Sequence, residues 1–174
     1  SFGVKENNFL GNGIQLDTNF SISSETFRGK FSINNPNFQN TDKSLYTSFE
    51  AIEIDNLTSN GYKTKKTGIS LGTRFEYLDD LFLGIGNSNF YETISTNSTA
   101  SERQKAQAGN YWDTFAKIDL NYDKRNQKFQ TSSGFKTYYS LDLPLISDTN
   151  TIKNYYSHSY YFDLFQDNVS SISV

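Results

Sequence analysis

Apolar and polar residues alternate along most of the chain. Thr114, Ala116, Ile118, Leu120 and Tyr122 share one parity, and Phe115, Lys117, Asp119 and Asn121 the other. After a polar stretch, Phe135, Thr137, Tyr139, Leu141, Leu143 and Leu145 share one parity, against Lys136, Tyr138, Ser140 and Asp142. Successive side chains of a strand point to opposite faces, so each run predicts a strand with one oily and one wet side. The stretch between them, polar apart from Phe129, predicts the turn of a hairpin.

The same reading extends in both directions. Phe2 to Phe9 predicts a strand, and Leu10-Gly11-Asn12-Gly13 a tight turn. Ile14 to Ile22 and Phe27 to Asn34 alternate next, followed by the turn Asn35-Pro36-Asn37-Phe38. A strand from Leu45 drifts in phase near Ile52 and Ile54, which suggests a bulge. A polar loop leads to a long strand from Tyr62 to Tyr77, then the Asp79-Asp80 turn and a strand from Leu81. Residues 95–110 do not alternate and suggest a short surface helix. After the central hairpin come a loop near Thr149, an aromatic strand from Tyr156 to Leu164, a turn at Gln166-Asp167-Asn168 and a last strand from Val169.

The expectation is an all-β, antiparallel, up-and-down meander of about ten strands. The connections at Gly11, Pro36, Asp79, Arg125 and Asp167 read as mostly tight. Those at Asn56, Ser101 and Thr149 read as longer. Short turns on one side and longer loops on the other are what a transmembrane β-barrel of the bacterial outer membrane shows.

Charge sharpens this. The central parts of the oily parity hold no charged residue, while the other holds Asp17, Arg28, Lys30, Glu50, Arg74, Glu76, Lys117, Asp119, Lys136 and Asp142. Lys63 and Lys65 share the oily parity but sit at a loop end. A Lys or Arg facing lipid at the midplane costs roughly 2–4 kcal/mol, so a barrel wall must segregate its charges in this way. A soluble β-sandwich also segregates, with its oily face inward, and stays open as a binding module. Rings favour the barrel: Phe9, Phe38, Tyr77, Phe82, Tyr122, Phe129, Phe135 and Phe165 lie beside the tight turns, as an interfacial girdle would.

Composition agrees. Aromatic residues make up 16% of the chain, yet the mean hydropathy is -0.64. A net charge of -3 with mixed signs gives no reason to expect nucleic acid, and the absence of cysteine removes disulfides and thiolate metal sites. No catalytic motif appears, so neither enzymatic activity nor a cofactor is expected. Asp79-Asp80 and the group Glu50, Glu53 and Asp55 lack metal-binding spacing and read as solvated charges. His158, the only histidine, reads as an interfacial ring, and Trp112 as an anchor at the opposite interface.

One motif carries a family resemblance. Asp123-x-Arg125-Asn126-x-x-Phe129-x-Thr131-Ser132-x-Gly134 resembles the D-x-R-[DN]-x-x-F-x-P-T-x-G turn of the BamA family of outer-membrane barrel assembly proteins. Thr131 and Ser132 depart from the family's Pro and Thr. Asn8-Phe9-Leu10-Gly11-Asn12-Gly13 and Asn34-Asn35-Pro36-Asn37-Phe38 resemble two further turns in the family's order. Asp123, Arg125, Asn126, Phe129, Gly134, Phe9, Gly11, Gly13, Asn35, Pro36 and Phe38 are therefore expected to be structural turn residues.

The resemblance implies that residues 1–174 are part of a larger, roughly sixteen-stranded barrel, without its first and last strands and without POTRA domains. It implies residence in the outer membrane and a role in folding and inserting nascent β-barrel proteins. Implied partners are outer-membrane lipid, client barrels, POTRA domains of the same parent chain and accessory lipoproteins. A transporter, porin or two-partner secretion pore is the alternative.

Overall fold

The computed structural model describes residues 1–148, 150–165 and 168–174. Ten strands form one antiparallel sheet in chain order. They are β1 (Phe2–Phe9), β2 (Ile14–Ile22), β3 (Thr26–Asn35), β4 (Ser44–Asn56), β5 (Tyr62–Leu78), β6 (Leu81–Thr96), β7 (Gly109–Asp123), β8 (Gly134–Ser147), β9 (Lys153–Phe165) and β10 (Asn168–Ser173). Each strand pairs only with its sequence neighbours, so the sheet is an unclosed meander. Among the described residues no second sheet covers either face, which excludes the sandwich. The Gln166-Asp167 part of the last expected turn, and Thr149, lie outside the described residues.

The expected surface helix is α1 (Glu102–Ala106). Ser101 caps it, accepting from the Gln104 backbone N–H while the Gln104 side chain reaches back. Among the described residues, no helix is long and apolar enough to cross a membrane.

Register assigns the faces. Leu120 of β7 lies opposite Leu83 of β6, and Leu83 opposite Phe75 of β5. Lys117 lies opposite Gly86 and Asp142. Every charged residue assigned above to the wet parity falls on that second face. It is also the concave one. In a single-layer sheet a side chain is buried by neighbours on its own face, and these crowd where the sheet curls inward. The two buried strand side chains, Ser88 (0% exposed) and Phe115 (4%), are both on the charged face. On the other face Leu71 and Phe49 are each 48% exposed.

Glycines permit the curl. A Cβ on Gly72 would come within 2.6 Å of the Tyr46 ring, and one on Gly86 within 2.6 Å of the Tyr46 hydroxyl. Tyr46 thus lies across two bare backbone segments of β5 and β6.

Four expectations need correction. β4 has no bulge: its register with β3 and β5 is unbroken, and Ile52 and Ile54 turn to the concave face. The phase drift arises because Glu53 and Asp55 face outward, opposite Lys65 and Lys63. A register shift does occur between Thr114 and Phe115, which pair with Ile146 and Pro144. It leaves Leu145 outside the ladder instead of in line with Leu143. Phe82 lies opposite Glu76 and Asn121 on the concave face, with the Arg74 guanidinium 5.7 Å from its ring centre, so it is no part of an outer girdle. The length asymmetry of the connections is also weaker than the pattern suggested. Residues 124–133 form a longer connection than 57–61, because the former folds back on itself.

The Tyr46 contact is testable by denaturant unfolding of the detergent-solubilised protein. Gly72→Ala is expected to cost about 1–3 kcal/mol, as overpacking does. In a Tyr46→Ser background the same change should cost less than half as much. Equal costs in both backgrounds would show that the ring is not what the glycine accommodates.

Candidate functional site

The convex face is banded. At the end carrying the Asp79-Asp80 and 124–133 turns, Tyr122 and Phe135 meet edge to face at 5.3 Å, and Phe135 stacks on His158 at 5.9 Å. His158 Nδ1 is 2.8 Å from Thr137 Oγ1, which occupies a polar atom of the ring. At the opposite end Tyr91 and Trp112 lie 6.3 Å apart. Rings with one polar atom suit the boundary between water and hydrocarbon at both ends of a span. Between them the face carries Phe31, Phe49, Leu71, Ile85, Ile118, Leu120, Leu141 and Leu143.

Two polar features interrupt it. Asn87, Asn89 and Thr114 stand on the convex face in mid-sheet. Trp112 Nε1 donates to Thr114 Oγ1 (3.0 Å), and Thr114 Oγ1 donates to Asn89 Oδ1 (2.9 Å). Asn89 Nδ2 donates to Asn87 Oδ1 (2.5 Å), and Asn87 Nδ2 to the Phe115 carbonyl (3.1 Å). The chain of bonds satisfies polar groups that sheet neighbours would otherwise leave bare. Nearer the loop end, Lys63 lies 2.5 Å from Glu53 and 2.7 Å from Asp55, and Lys65 lies 3.2 Å from Glu53. Two positive and two negative groups cancel.

The concave face carries the charged strand residues, among apolar side chains such as Ile52, Phe82 and Phe115. Lys117 is 3.7 Å from Asp142, and Arg74 Nε is 4.0 Å from Asp119. Half-exposed charges of both signs indicate a water-lined interior. Among the described residues no group of His, Asp and Glu is arranged to hold a metal ion.

The expected turn residues fall in three turns at one end of the sheet. In the first, Gly13 N–H donates to Asn8 Oδ1 at 2.7 Å, and Gly11 (φ 73°) and Gly13 (φ 67°) take the left-handed conformation. Phe9 is partly exposed beside them. In the second, Asn35 Oδ1 accepts from Asn37 N–H (3.2 Å), and the Phe38 N–H donates to the Lys43 carbonyl (2.8 Å).

The third holds the most bonds. Arg125 grips Asp123 with two N–H groups, at 2.8 and 2.7 Å, and both side chains are only 15% exposed. Asn126 Oδ1 accepts from the N–H groups of Ser132 and Ser133 (3.1 and 3.2 Å), and its Nδ2 donates to Ser132 Oγ (2.7 Å). Thr131 Oγ1 donates to the Gln127 carbonyl at 2.7 Å, so a hydrogen bond stands where the resembling motif has a proline ring. Gly134 (φ 102°) has no room for a side chain: a Cβ would sit 2.2 Å from the Lys124 carbonyl oxygen. Phe129 is 87% exposed.

The second and third turns border a common cleft. Pro36, Asp42, Arg74, Phe82 and Lys128 line one cleft of about 320 Å³. The third also joins the Asp79-Asp80 turn: Lys124 Nζ lies 2.7 Å from Asp80, and Asp123 N–H donates to the Asp80 carbonyl (3.1 Å). Sequence reasoning missed this bridge, since nothing in the spacing of Asp80 and Lys124 marks them as neighbours.

The Omp85 superfamily domain matches residues 8–174. The chain belongs to the Omp85 superfamily. Among solved structures, the crystal structure of BamA from Haemophilus ducreyi lacking POTRA domains 1–3 is similar, with a TM-score of 0.73 and 21% identity. The likeness covers 95% of this chain and 35% of that one, and at this identity it is a likeness of fold. No curated protein sequence matches the chain. The BamA-type, all-β expectation therefore holds at the level of the barrel, and this Omp85 sheet is a barrel wall. The chain spans about a third of the BamA chain to which it is similar.

The Asp123–Arg125 pair can be tested. Arg125 holds the Asp123 carboxyl below its ordinary range, and Asp80 raises the Lys124 ammonium above its own. A depressed carboxylate contributes stability above its unfolded-state pKa and loses it as pH falls through the folded one. A raised ammonium contributes below its unfolded-state pKa and loses it as pH climbs through the folded one. Between these limits the turn should be insensitive to pH. Arg125→Ala is expected to cost about 1.5–3 kcal/mol in denaturant unfolding near neutrality, with a smaller cost below the carboxylate range. Arg125→Lys should recover less than half, because an ammonium lacks the planar fork. A cost that does not change with acidification would overturn the pairing.

Proposed function

We propose that this Omp85 chain is the wall of a bacterial outer-membrane barrel whose parent protein folds and inserts other β-barrel proteins. The observation that carries the membrane assignment is the convex face, uncovered, largely apolar between rings at both ends, and with its mid-sheet amides bonded to one another. Face and register support hydrocarbon outside and water inside. In this reading residues 1–174 correspond to roughly the second to the start of the eleventh strand of a larger barrel. The bare edges of β1 and β10 pair with strands encoded elsewhere in the parent, since an unpaired edge in hydrocarbon leaves each N–H and C=O unsatisfied.

The assembly role rests on the family and on the three turns held in order at one end. Their residues (Asp123, Arg125, Asn126, Gly134, Phe9, Gly11, Gly13, Asn35, Pro36 and Phe38) brace the strand ends rather than act on a substrate, while Phe129 stands exposed in the third turn. Assembly itself needs no nucleotide or metal. A sheet edge opened at the seam offers backbone groups to an incoming strand. POTRA domains of the parent, accessory lipoproteins and client barrels are the partners this role entails. The water-lined concave face favours a second reading, a secretion pore of the same superfamily.

Depletion of the full-length protein separates the two. Assembly predicts a severalfold fall in the folded amounts of unrelated outer-membrane barrels, with a purified protein that conducts little and intermittently in planar bilayers. Unchanged levels of other barrels, with a large steady conductance, would replace assembly by transport.

A further inference from the structure

Two cations at the turn end of the sheet are satisfied within the chain, Arg125 by Asp123 and Lys124 by Asp80. Arg74 of β5 is not. Among the described residues none accepts a hydrogen bond from its side chain: Nε is buried without an acceptor, and the Asp119 carboxylate stands 4.0 Å off, beyond hydrogen-bond reach. The guanidinium carbon lies 5.7 Å from the centre of the Phe82 ring, which holds the group without bonding it. A guanidinium carries five donors in a planar fork, and donors left unbonded in a wall call for an acceptor from elsewhere.

Arg74 lines the cleft of about 320 Å³ between the second and third turns. Register brings Phe82 of β6 and Asn121 of β7 beside it on the concave face, and the turns add Pro36, Asp42 and Lys128. The side chains of Asp42, Asn121 and Lys128 make no hydrogen bond or ion pair among the described residues. One cleft thus gathers a guanidinium, an ammonium and an amide with their bonding capacity unused.

We propose that this cleft binds an acidic side chain of an extended peptide. The proposal goes beyond the assembly reading and rests on one part of it, that the concave face meets water. The carboxylate meets the Arg74 fork, whose parallel N–H groups match two coplanar oxygens, and Lys128 adds a second positive charge. Phe82 and Pro36 cover the methylene stem. The free amide of Asn121 offers one acceptor and donors, the complement of a peptide group, which favours a peptide over a free acid. Asp42 in the lining and Asp119 behind Arg74 weigh against a doubly charged phosphate. The volume suits a side chain and excludes a folded domain.

The sequence has no cysteine, so Ser44→Cys, which lies in the cleft lining, gives this chain a single reporter thiol. The full-length protein in detergent, with any cysteine outside this chain replaced by Ser, is treated with a C-amidated Ala/Ser peptide carrying one chloroacetyl group and one Glu. The same peptide with Gln is the reference, and iodoacetamide measures the reactivity of the thiol itself. The Glu peptide is expected to be captured about three- to tenfold faster than the Gln peptide, between the worth of an exposed ion pair and a bidentate one. Arg74→Gln, which removes no hydrogen bond of the fold, should bring the ratio near one, and Lys128→Gln should lower it. Arg74→Lys should recover less than half, and Asp42→Asn should raise the ratio. Lys30→Gln, on the same face but outside the cleft, should leave it unchanged. Equal capture of both peptides, a preference that survives Arg74→Gln, or suppression by inorganic phosphate where acetate at equal ionic strength has no effect would overturn the site. A thiol that iodoacetamide cannot reach would instead overturn the watery concave face, and the site with it.

Discussion

The ladder of backbone hydrogen bonds between neighbouring strands is the constraint from which the rest follows. Hydrocarbon offers no water to an unpaired N–H or C=O, so a membrane-crossing sheet must bond every strand to its neighbours. The meander does this with the shortest connections, pairing each strand with the next in the chain. With the backbone committed, side chains alone decide which face meets which solvent. A shift of one residue would reverse every choice at once. The unbroken register through β3, β4 and β5 is therefore what keeps Glu50 and Lys30 on the watery side.

The same constraint explains how the convex face tolerates polar residues. An amide facing lipid without a partner costs a few kcal/mol. Asn87 and Asn89 avoid that cost by bonding to each other, to Thr114 and to the Phe115 carbonyl. Glu53, Asp55, Lys63 and Lys65 avoid it by mutual neutralisation close to the loop end. What the face excludes is unpaired polarity, a weaker demand than the exclusion of polarity itself. Curvature adds a second demand on the concave face, where side chains converge. Gly72 and Gly86 leave room for the Tyr46 ring, so its bulk and their lack of a side chain are one feature of the wall.

Alternation made the strands and their faces legible in the sequence because period two is a property of each strand alone. The ten strands and the shared face of Lys117 and Asp142 follow from it, while α1 falls where the alternation stops. It misled wherever a residue's environment depends on a partner strand. Glu53 and Asp55 read as a break in phase because their lysine partners lie across the sheet, on β5. The sequence shows the distance of Phe82 from a turn but not its face, so alternation alone does not separate it from the turn-end rings. Leu145 was placed in line with Leu143 because a bulge opposite Phe115 has no local mark beyond Pro144. Gly29, Ala51 and Thr67 likewise belong to three strands and become neighbours only through register.

The third turn shows how hydrogen bonds can restrain a loop that has no proline. A proline limits a turn by fixing φ and lowering the entropy of the unfolded chain. Thr131 cannot do this. Its hydroxyl instead bonds the Gln127 carbonyl, while Asn126 gathers the N–H groups of Ser132 and Ser133. Restraint moves from the unfolded state, where proline acts, to the folded state, where hydrogen bonds act. The Asp80–Lys124 bridge extends that restraint to the neighbouring hairpin. A barrel wall has to hold its strand ends still. In this chain that stiffness comes from polar side chains in water, outside the bilayer, where they are cheapest to satisfy.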